Sequence, residues 1–94
     1  MVSWDETKRR ANLVKHGMDL ADVAQFDFEN AAVEEDRDVR GEQRFRATGF
    51  VGNQLCFCVY TDRGGDIHAI SLRPADRKER RNYEKKVRQD ILGG

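Results

Sequence analysis

Three segments in the second half of the chain have the hydrophobic patterns of consecutive β-strands. Residues 43–51 alternate between polar and apolar side chains, which is typical of a strand with one buried face. Residues 55–61 are apolar on both faces, as in a central strand, and residues 66–73 form a third strand. Glycines mark tight turns at 52–53 and 62–65. Strands joined by such turns predict an antiparallel meander.

Two helical segments precede these strands. Asp5 is placed to cap a first helix that runs to about Lys15, and Gly17 is placed to end it in the left-handed conformation. Asp19 is placed to cap a second, shorter helix. The 3.6-residue period predicts that seven side chains of this region face the core: Thr7, Ala11, Val14 and Met18 from the first helix, and Leu20, Val23 and Ala24 from the second.

A third helix is predicted after the strands, over residues 76–92. Its apolar stripe is sparse: Tyr83, Val87 and Ile91 are spaced by four residues, and Arg80 falls on the same face, which we expect to be buried. Helices before and after a sheet predict the α+β class.

The length of the chain allows one domain, over residues 1–94. Two further short strands are predicted at 2–4 and 31–35, and no repeat or linker divides the sequence. No run approaches the ~20 apolar residues that span a bilayer, and the N-terminus lacks the regions of a signal peptide. We therefore expect a cytoplasmic protein without membrane contact. Cys56 and Cys58 are expected to be buried, unpaired thiols, because alternate residues of a strand lie beyond disulfide distance.

The charges cancel overall but are segregated along the chain. The formal net charge is zero. Residues 19–42 nevertheless carry nine acids against two bases, whereas residues 73–88 carry eight bases against three acids. A basic surface can bind phosphates, and the acidic stretch 34–38 is expected to be a surface loop or a docking site for a basic partner.

The sequence lacks the motifs of most catalytic and cofactor sites. It has no glycine-rich phosphate loop, no nucleophile elbow and no Cys/His cluster with zinc spacing, so we expect no metal and no cofactor. The remaining bases, histidines and aromatics can bind RNA and can also cut it. RNA carries its own nucleophile, the 2′-hydroxyl, so an enzyme need only move protons and stabilise charge on phosphorus.

The candidates for this chemistry also have structural explanations. Arg73 ends an apolar strand. It is either a phosphate ligand or an exposed arginine at the end of the strand. Tyr83 is a site residue or a core anchor. His16 lies at a helix C-terminus, where it is a cap favoured by the helix dipole or a catalytic base. His68, in mid-strand, is expected to be packed or half-exposed.

The candidates for RNA binding are basic side chains on three elements. Arg44 and Arg46 share one face of a strand, which indicates a ligand or an acidic neighbour. Lys8 and Lys15 line one side of the first helix, together with the polar Asn12. The C-terminal helix carries a basic strip that is a solvated face or a nucleic-acid footprint, and its candidates are Arg77, Arg80, Arg81 and Lys85.

Six short motifs, in matching order and spacing, resemble those of one family, the BrnT toxins. They extend from about residue 3 to residue 87. They are Trp4-Asp5, Asn12 and Lys15-His16-Gly17; Gly41-Glu42 with Arg44; Val59-Tyr60-Thr61 with Arg63; and Ile70-Ser71 with Arg73, Ala75, Glu79 and Tyr83. The chain departs from the family pattern at 66–69, where more basic residues are typical, at Pro74 and at the two cysteines.

The resemblance implies a fold, an activity and a partner. The fold would be RelE-like, with N-terminal helices and a C-terminal helix packed on an antiparallel sheet. The activity would be RNA cleavage that stops translation. The partner would be a BrnA antitoxin, a ribbon-helix-helix protein that binds DNA and forms a complex of two toxins and two antitoxins.

The resemblance also implies roles for individual residues. Arg73 would stabilise the phosphate charge, His16 and Tyr83 would carry protons, and Glu79 would orient a base or pair with an arginine. Three hypotheses follow: a metal-independent endoribonuclease, a catalytically silent binding module that acts through its antitoxin, and a nucleic-acid binder that does not cleave.

Overall fold

The computed structural model describes residues 1–37 and 41–93 as a five-stranded sheet flanked by helices. In chain order the elements are β1 (Val2–Ser3), α1 (Glu6–His16), a 3₁₀ helix (Leu20–Gln25), β2 (Ala32–Arg37), β3 (Gln43–Val51), β4 (Gln54–Arg63), β5 (Asp66–Pro74) and α2 (Arg77–Leu92). The strand order is β1-β5-β4-β3-β2. Neighbouring strands are antiparallel except β1 and β5, which are parallel. The predicted α+β class and the meander are confirmed, and the parallel pair makes the sheet mixed.

The core lies on one face of the sheet, beneath the 3₁₀ helix. Leu20 and Val23 from this helix are fully buried, as predicted, whereas Ala24 is exposed. Gly49 lies beneath Phe26, so closely that a Cβ at this position would stand 2.9 Å from the ring. The sheet contributes small and apolar side chains to the same cluster, among them Ala47, Cys56, Cys58, Tyr60, Ala69 and Leu72.

The predicted inner face of α1 is wrong. Thr7, Ala11 and Val14 are exposed, and Met18 is partly buried beyond the end of the helix. The buried residue of α1 is Asn12, whose amide donates to the Leu72 carbonyl at 2.8 Å and accepts from the Leu72 N–H at 3.1 Å. The reason is that β1 pairs with only two residues of β5, so α1 covers the rest of that edge and satisfies its backbone.

The local signals at the ends of α1 are confirmed. The Asp5 side chain accepts from the Lys8 N–H, and Gly17 ends the helix with φ of 71°.

Cys56 and Cys58 are free and buried, and burial raises the pKa of the Cys58 thiol to about 12. Within the described residues, no helix combines the length and the apolar composition that crossing a membrane requires.

The second face of the sheet is covered in part by α2. This helix has no buried residue in the part of the chain that the structure describes. Tyr83 and Val87 are partly buried, whereas Arg80 is exposed and Ile91 is 74% exposed, so the prediction of a buried face is wrong for Arg80 and Ile91. The acidic stretch is also corrected: residues 34–36 belong to β2 and not to a loop, and Asp38 lies outside the described residues.

Candidate functional site

The register of the sheet identifies the side chains that share the face on which α2 lies. Directly opposite residues of neighbouring strands point to the same side, and the ion pair between Arg73 and α2 shows which side this is. We call the part of this face beyond α2 the open face. The register assigns to it Ser3, Arg44, Arg46, Val59, Thr61, His68 and Ser71, of which Thr61 is buried, and Arg73 lies at its border with α2.

Arg73 is held at this border by three contacts. Its Nη1 and Nη2 donate to the two carboxylate oxygens of Glu79 at 2.8 and 2.7 Å, and Nη1 also donates to the Pro74 carbonyl at 3.2 Å. Its guanidinium lies over the ring of Phe57, 4.5 Å from the centroid. Hydrogen bonds to Glu79 raise the pKa of Arg73, so the side chain is a fixed cation.

One edge of the Arg73 guanidinium remains available. A guanidinium offers two pairs of parallel N–H donors, one at Nη1 and Nη2 and one at Nε and Nη2. The Glu79 carboxylate takes the first pair, and no described residue accepts from the second. This second pair has the geometry that binds two oxygens of a phosphate.

Glu79 connects Arg73 to the start of α2. Its carboxylate accepts from the Asp76 N–H at 2.9 Å, and Asp76 caps the helix by accepting from the Glu79 N–H. The Glu79 side chain is 14% exposed. Of the two roles considered from the sequence, the structure supports the pairing with an arginine, which fixes the direction of Arg73.

His16 lies beside the outer edge of β5. It lines a cleft together with Lys8, Lys15, Ile70 and Ser71. Burial, followed by the positive charges of Lys15 and Arg73, lowers the pKa of His16. A lowered pKa favours the neutral imidazole, which is the form that can accept a proton. The helix dipole acts in the opposite direction, because it favours a cationic histidine at this position.

The structure places Arg44 and Arg46 on the open face. Arg46 pairs with two acids of β2, Glu34 at 3.5 Å and Asp36 at 3.7 Å, so the acidic neighbour considered from the sequence is present. Arg44 is half-buried. A cleft of about 170 Å³ joins Arg46 and Glu34 to the start of α2, next to Glu79.

The remaining candidates are not gathered with Arg73. Tyr83 lies one turn beyond Glu79 and packs edge-to-face on Phe50, with ring centroids 5.6 Å apart. The four basic candidates on α2 are all exposed: Arg77, Arg80, Arg81 and Lys85. Asn12 does not widen a phosphate-binding surface, because it is buried against β5. Among residues 1–37 and 41–93, no three side chains of the metal-binding types form a cluster.

Sequence reasoning missed two features of the site. Phe57, interpreted as part of an apolar strand, is the platform under Arg73. His68 is half-buried, as expected, but its Nδ1 lies 2.9 Å from the Ser3 hydroxyl. No local pattern predicts that bond, because it depends on the parallel pairing of β1 with β5.

Comparison with known proteins agrees with the resemblance drawn from the motifs. No curated protein matches the chain. A family model described as the ribonuclease toxin, BrnT, of type II toxin–antitoxin systems matches residues 4–79, a range that includes His16, Arg73 and Glu79 and ends before Tyr83. Because the match spans most of the sequence, the chain belongs to the BrnT family of ribonuclease toxins of type II toxin–antitoxin systems.

Proposed function

We propose that this chain is a metal-independent endoribonuclease that cuts RNA on the open face and so inhibits translation in the cytoplasm. The observation that carries the proposal is the position of Arg73, a cation held by Glu79, on the face that also contributes Ser71 to the cleft of His16. Arg73 keeps one donor edge available, and His16 is close enough to Arg73 for that charge to lower its pKa. The proposed fold type is RelE-like.

In the proposed reaction, the phosphate accepts hydrogen bonds from Nε and Nη2 of Arg73. Neutral His16 takes the proton of the 2′-hydroxyl, and the 2′-oxygen attacks phosphorus. The bond from phosphorus to the 5′-oxygen then breaks, and that oxygen takes up a proton. The products are a 2′,3′-cyclic phosphate and a free 5′-hydroxyl. Arg73 stabilises the charge that develops on the phosphoryl oxygens.

Glu79 serves this reaction as a positioning residue, because its carboxylate occupies one edge of Arg73 and directs the other. Tyr83 remains a predicted proton carrier, and its contact with Phe50 supports a packing role. The proposed RNA path runs over Arg44 and Arg46 and along Lys8 and Lys15, with the exposed bases of α2 at its border.

The proposed partner is a BrnA-like ribbon-helix-helix antitoxin, in a complex of two toxins and two antitoxins that reaches DNA through the antitoxin. Membership of a type II toxin–antitoxin family implies an antitoxin. The absence of any buried residue in the described part of α2, and the exposed Ile91 and Leu92 at its end, support a surface that a partner covers.

The activity is tested with end-labelled RNA in EDTA, using protein purified without antitoxin. We expect discrete fragments with cyclic phosphate ends. Arg73→Ala and Arg73→Lys should each reduce the rate by about 100-fold or more, because a lysine lacks the paired donors. Arg10→Ala is the matched control, since Arg10 is an exposed arginine of α1 outside the cleft. It should cut at the native rate.

The outcomes separate the proposed enzyme from the alternatives. Equal cleavage by native protein and the Arg73 variants would remove Arg73 from the site. Intact RNA with folded native protein would contradict cleavage of free RNA and favour the silent module that acts through its antitoxin. Antitoxin binding by that protein, measured by calorimetry, would then define its function. RNA binding without cleavage or antitoxin binding would support the third hypothesis.

A further inference from the structure

A β-bulge changes which side chains of β5 lie on the open face. Arg73 is opposite Phe57 and Ser71 is opposite Val59, but the next pair is Ala69 with Tyr60, so Ile70 has no partner on β4. Beyond the bulge, His68 is opposite Thr61. Without the extra residue, His68 and Ser71 would point to opposite faces, because they are three positions apart. The bulge therefore places His68 on the same face as Ser71 and Arg73.

The first strand of the chain then fixes the ring of His68. Ser3 is paired with His68 in the parallel register, and its hydroxyl lies 2.9 Å from Nδ1. The hydroxyl can accept from an Nδ1–H when the ring is protonated and when it is neutral. One arrangement thus serves both charge states. No described residue bonds Nε2, which can therefore carry a proton to or from a ligand on the open face.

The spacing of His68 and Arg73 suits a phosphate between them. The pair of Ser71 and Val59 lies between the pair that contains Arg73 and the pair that contains His68. Each step is two residues along β4, roughly 7 Å. A phosphate above Val59 is therefore within side-chain reach of the Arg73 guanidinium on one side and of the His68 ring on the other. His16 approaches the same position from the edge of β5, next to Ser71.

We propose that His68 is the general acid of RNA cleavage and that Ser3 is its positioning residue. This inference rests on the proposed function. His16 removes the proton from the 2′-hydroxyl, and the Nε2–H of His68 gives a proton to the departing 5′-oxygen. The bond between phosphorus and that oxygen breaks as the bond from phosphorus to the 2′-oxygen forms. Solvent then returns a proton to His68 and takes one from His16.

The test compares two RNA substrates of one sequence. One is ordinary RNA, and the other carries sulfur in place of the 5′-oxygen at a cleavage position mapped with native protein. A thiolate leaves without protonation, so this substrate does not need a general acid but still needs a base. We expect His68→Gln to slow cleavage of ordinary RNA by about 100-fold or more. It should cut the sulfur substrate at a rate close to that of native protein.

Two further variants make the test specific. Ser3→Ala should reduce the rate of cleavage of ordinary RNA by less than His68→Gln does. Its rate on the sulfur substrate should also be close to that of native protein. His16→Gln, as the variant of the base, should be slow on both. Circular dichroism and urea unfolding are used to check that each variant is folded before a loss is assigned to the reaction.

The outcomes distinguish this inference from the proposed function. If native protein cuts ordinary RNA and His68→Gln cuts it equally fast, the general-acid role is wrong and the ribonuclease stands. If His68→Gln is slower than native protein by the same factor on both substrates, His68 does not protonate the leaving group, and the inference is overturned. If folded native protein cuts neither substrate, the proposed function itself fails.

Discussion

The two faces of the sheet divide the work of the molecule. The core face is covered by the 3₁₀ helix. Leu20 and Val23 from this helix and Leu72 from the sheet are fully buried. The open face carries arginines, and carboxylates engage two of the side chains at this face, Arg46 by Glu34 and Arg73 by Glu79. A chain of this size buries only about 60–65% of its unfolded surface. The core face therefore carries the main apolar cluster, and the part of the other face beyond α2 can stay polar for a ligand.

The largest test of this division is Leu72→Ala on the core face. Leu72 is fully buried, so we expect the free energy of unfolding to fall by about 3 kcal/mol, measured by urea denaturation. Cleavage per folded molecule should stay near the native value, because the side chain points away from the open face. A large loss of cleavage in a variant shown to be folded would mean that the two faces are coupled.

Asn12→Ala tests the edge that joins the two faces. The substitution leaves the N–H and carbonyl of Leu72 without the amide that bonds both of them. We expect a loss of about 2 kcal/mol in the free energy of unfolding, which is the cost of unsatisfied buried backbone groups. Hydrogen exchange should report faster opening at Leu72. Unchanged exchange there would show that α1 does not protect this edge.

Asn12 also shows how far the sequence predicts the fold. The period of two predicted β3 at its observed bounds, because one of its faces is buried and the other is polar. The same reasoning applied to α1 failed, since that helix meets a strand edge and contributes a hydrogen-bonding amide in place of an apolar stripe. A periodicity records which residues avoid water, but it does not record which backbone groups need a partner.

The candidate site was predictable to a similar extent. Arg73 followed from its position at the end of an apolar strand, and its pairing with Glu79 was one of two roles considered for that acid. His68 could not be placed, because its face depends on the bulge at Ile70. A bulge is a property of the register between two strands, and neither strand shows it alone.

The pH dependence of cleavage tests the open face, and the expected effect is of intermediate size. The pKa of His16 is lowered. The limb of the pH–rate profile that reports this base should therefore have its midpoint below about 6.5, the ordinary pKa of histidine. As pH falls through that pKa, the neutral form is lost and the rate should fall roughly tenfold per pH unit. Lys15→Gln removes one charge that lowers the pKa and should move the limb to higher pH. A limb that does not move would show that another group is the base.

The smallest effect is expected at the end of α2, where neither face of the sheet reaches. Ile91 is 74% exposed, so Ile91→Ser removes little buried surface and should change the free energy of unfolding by less than about 0.5 kcal/mol. Val87, one turn earlier on the same stripe, is half-buried, and Val87→Ser should cost more. Urea denaturation of the two variants gives the comparison directly. A larger cost at Ile91 would mean that the helix end is covered in the free protein, by a second copy of the chain or by a contact within it. A smaller cost at Ile91 than at Val87 would show that the apolar end of α2 is exposed in the free protein and available to a partner. The half of the helix that carries Glu79 and Tyr83 contacts the sheet.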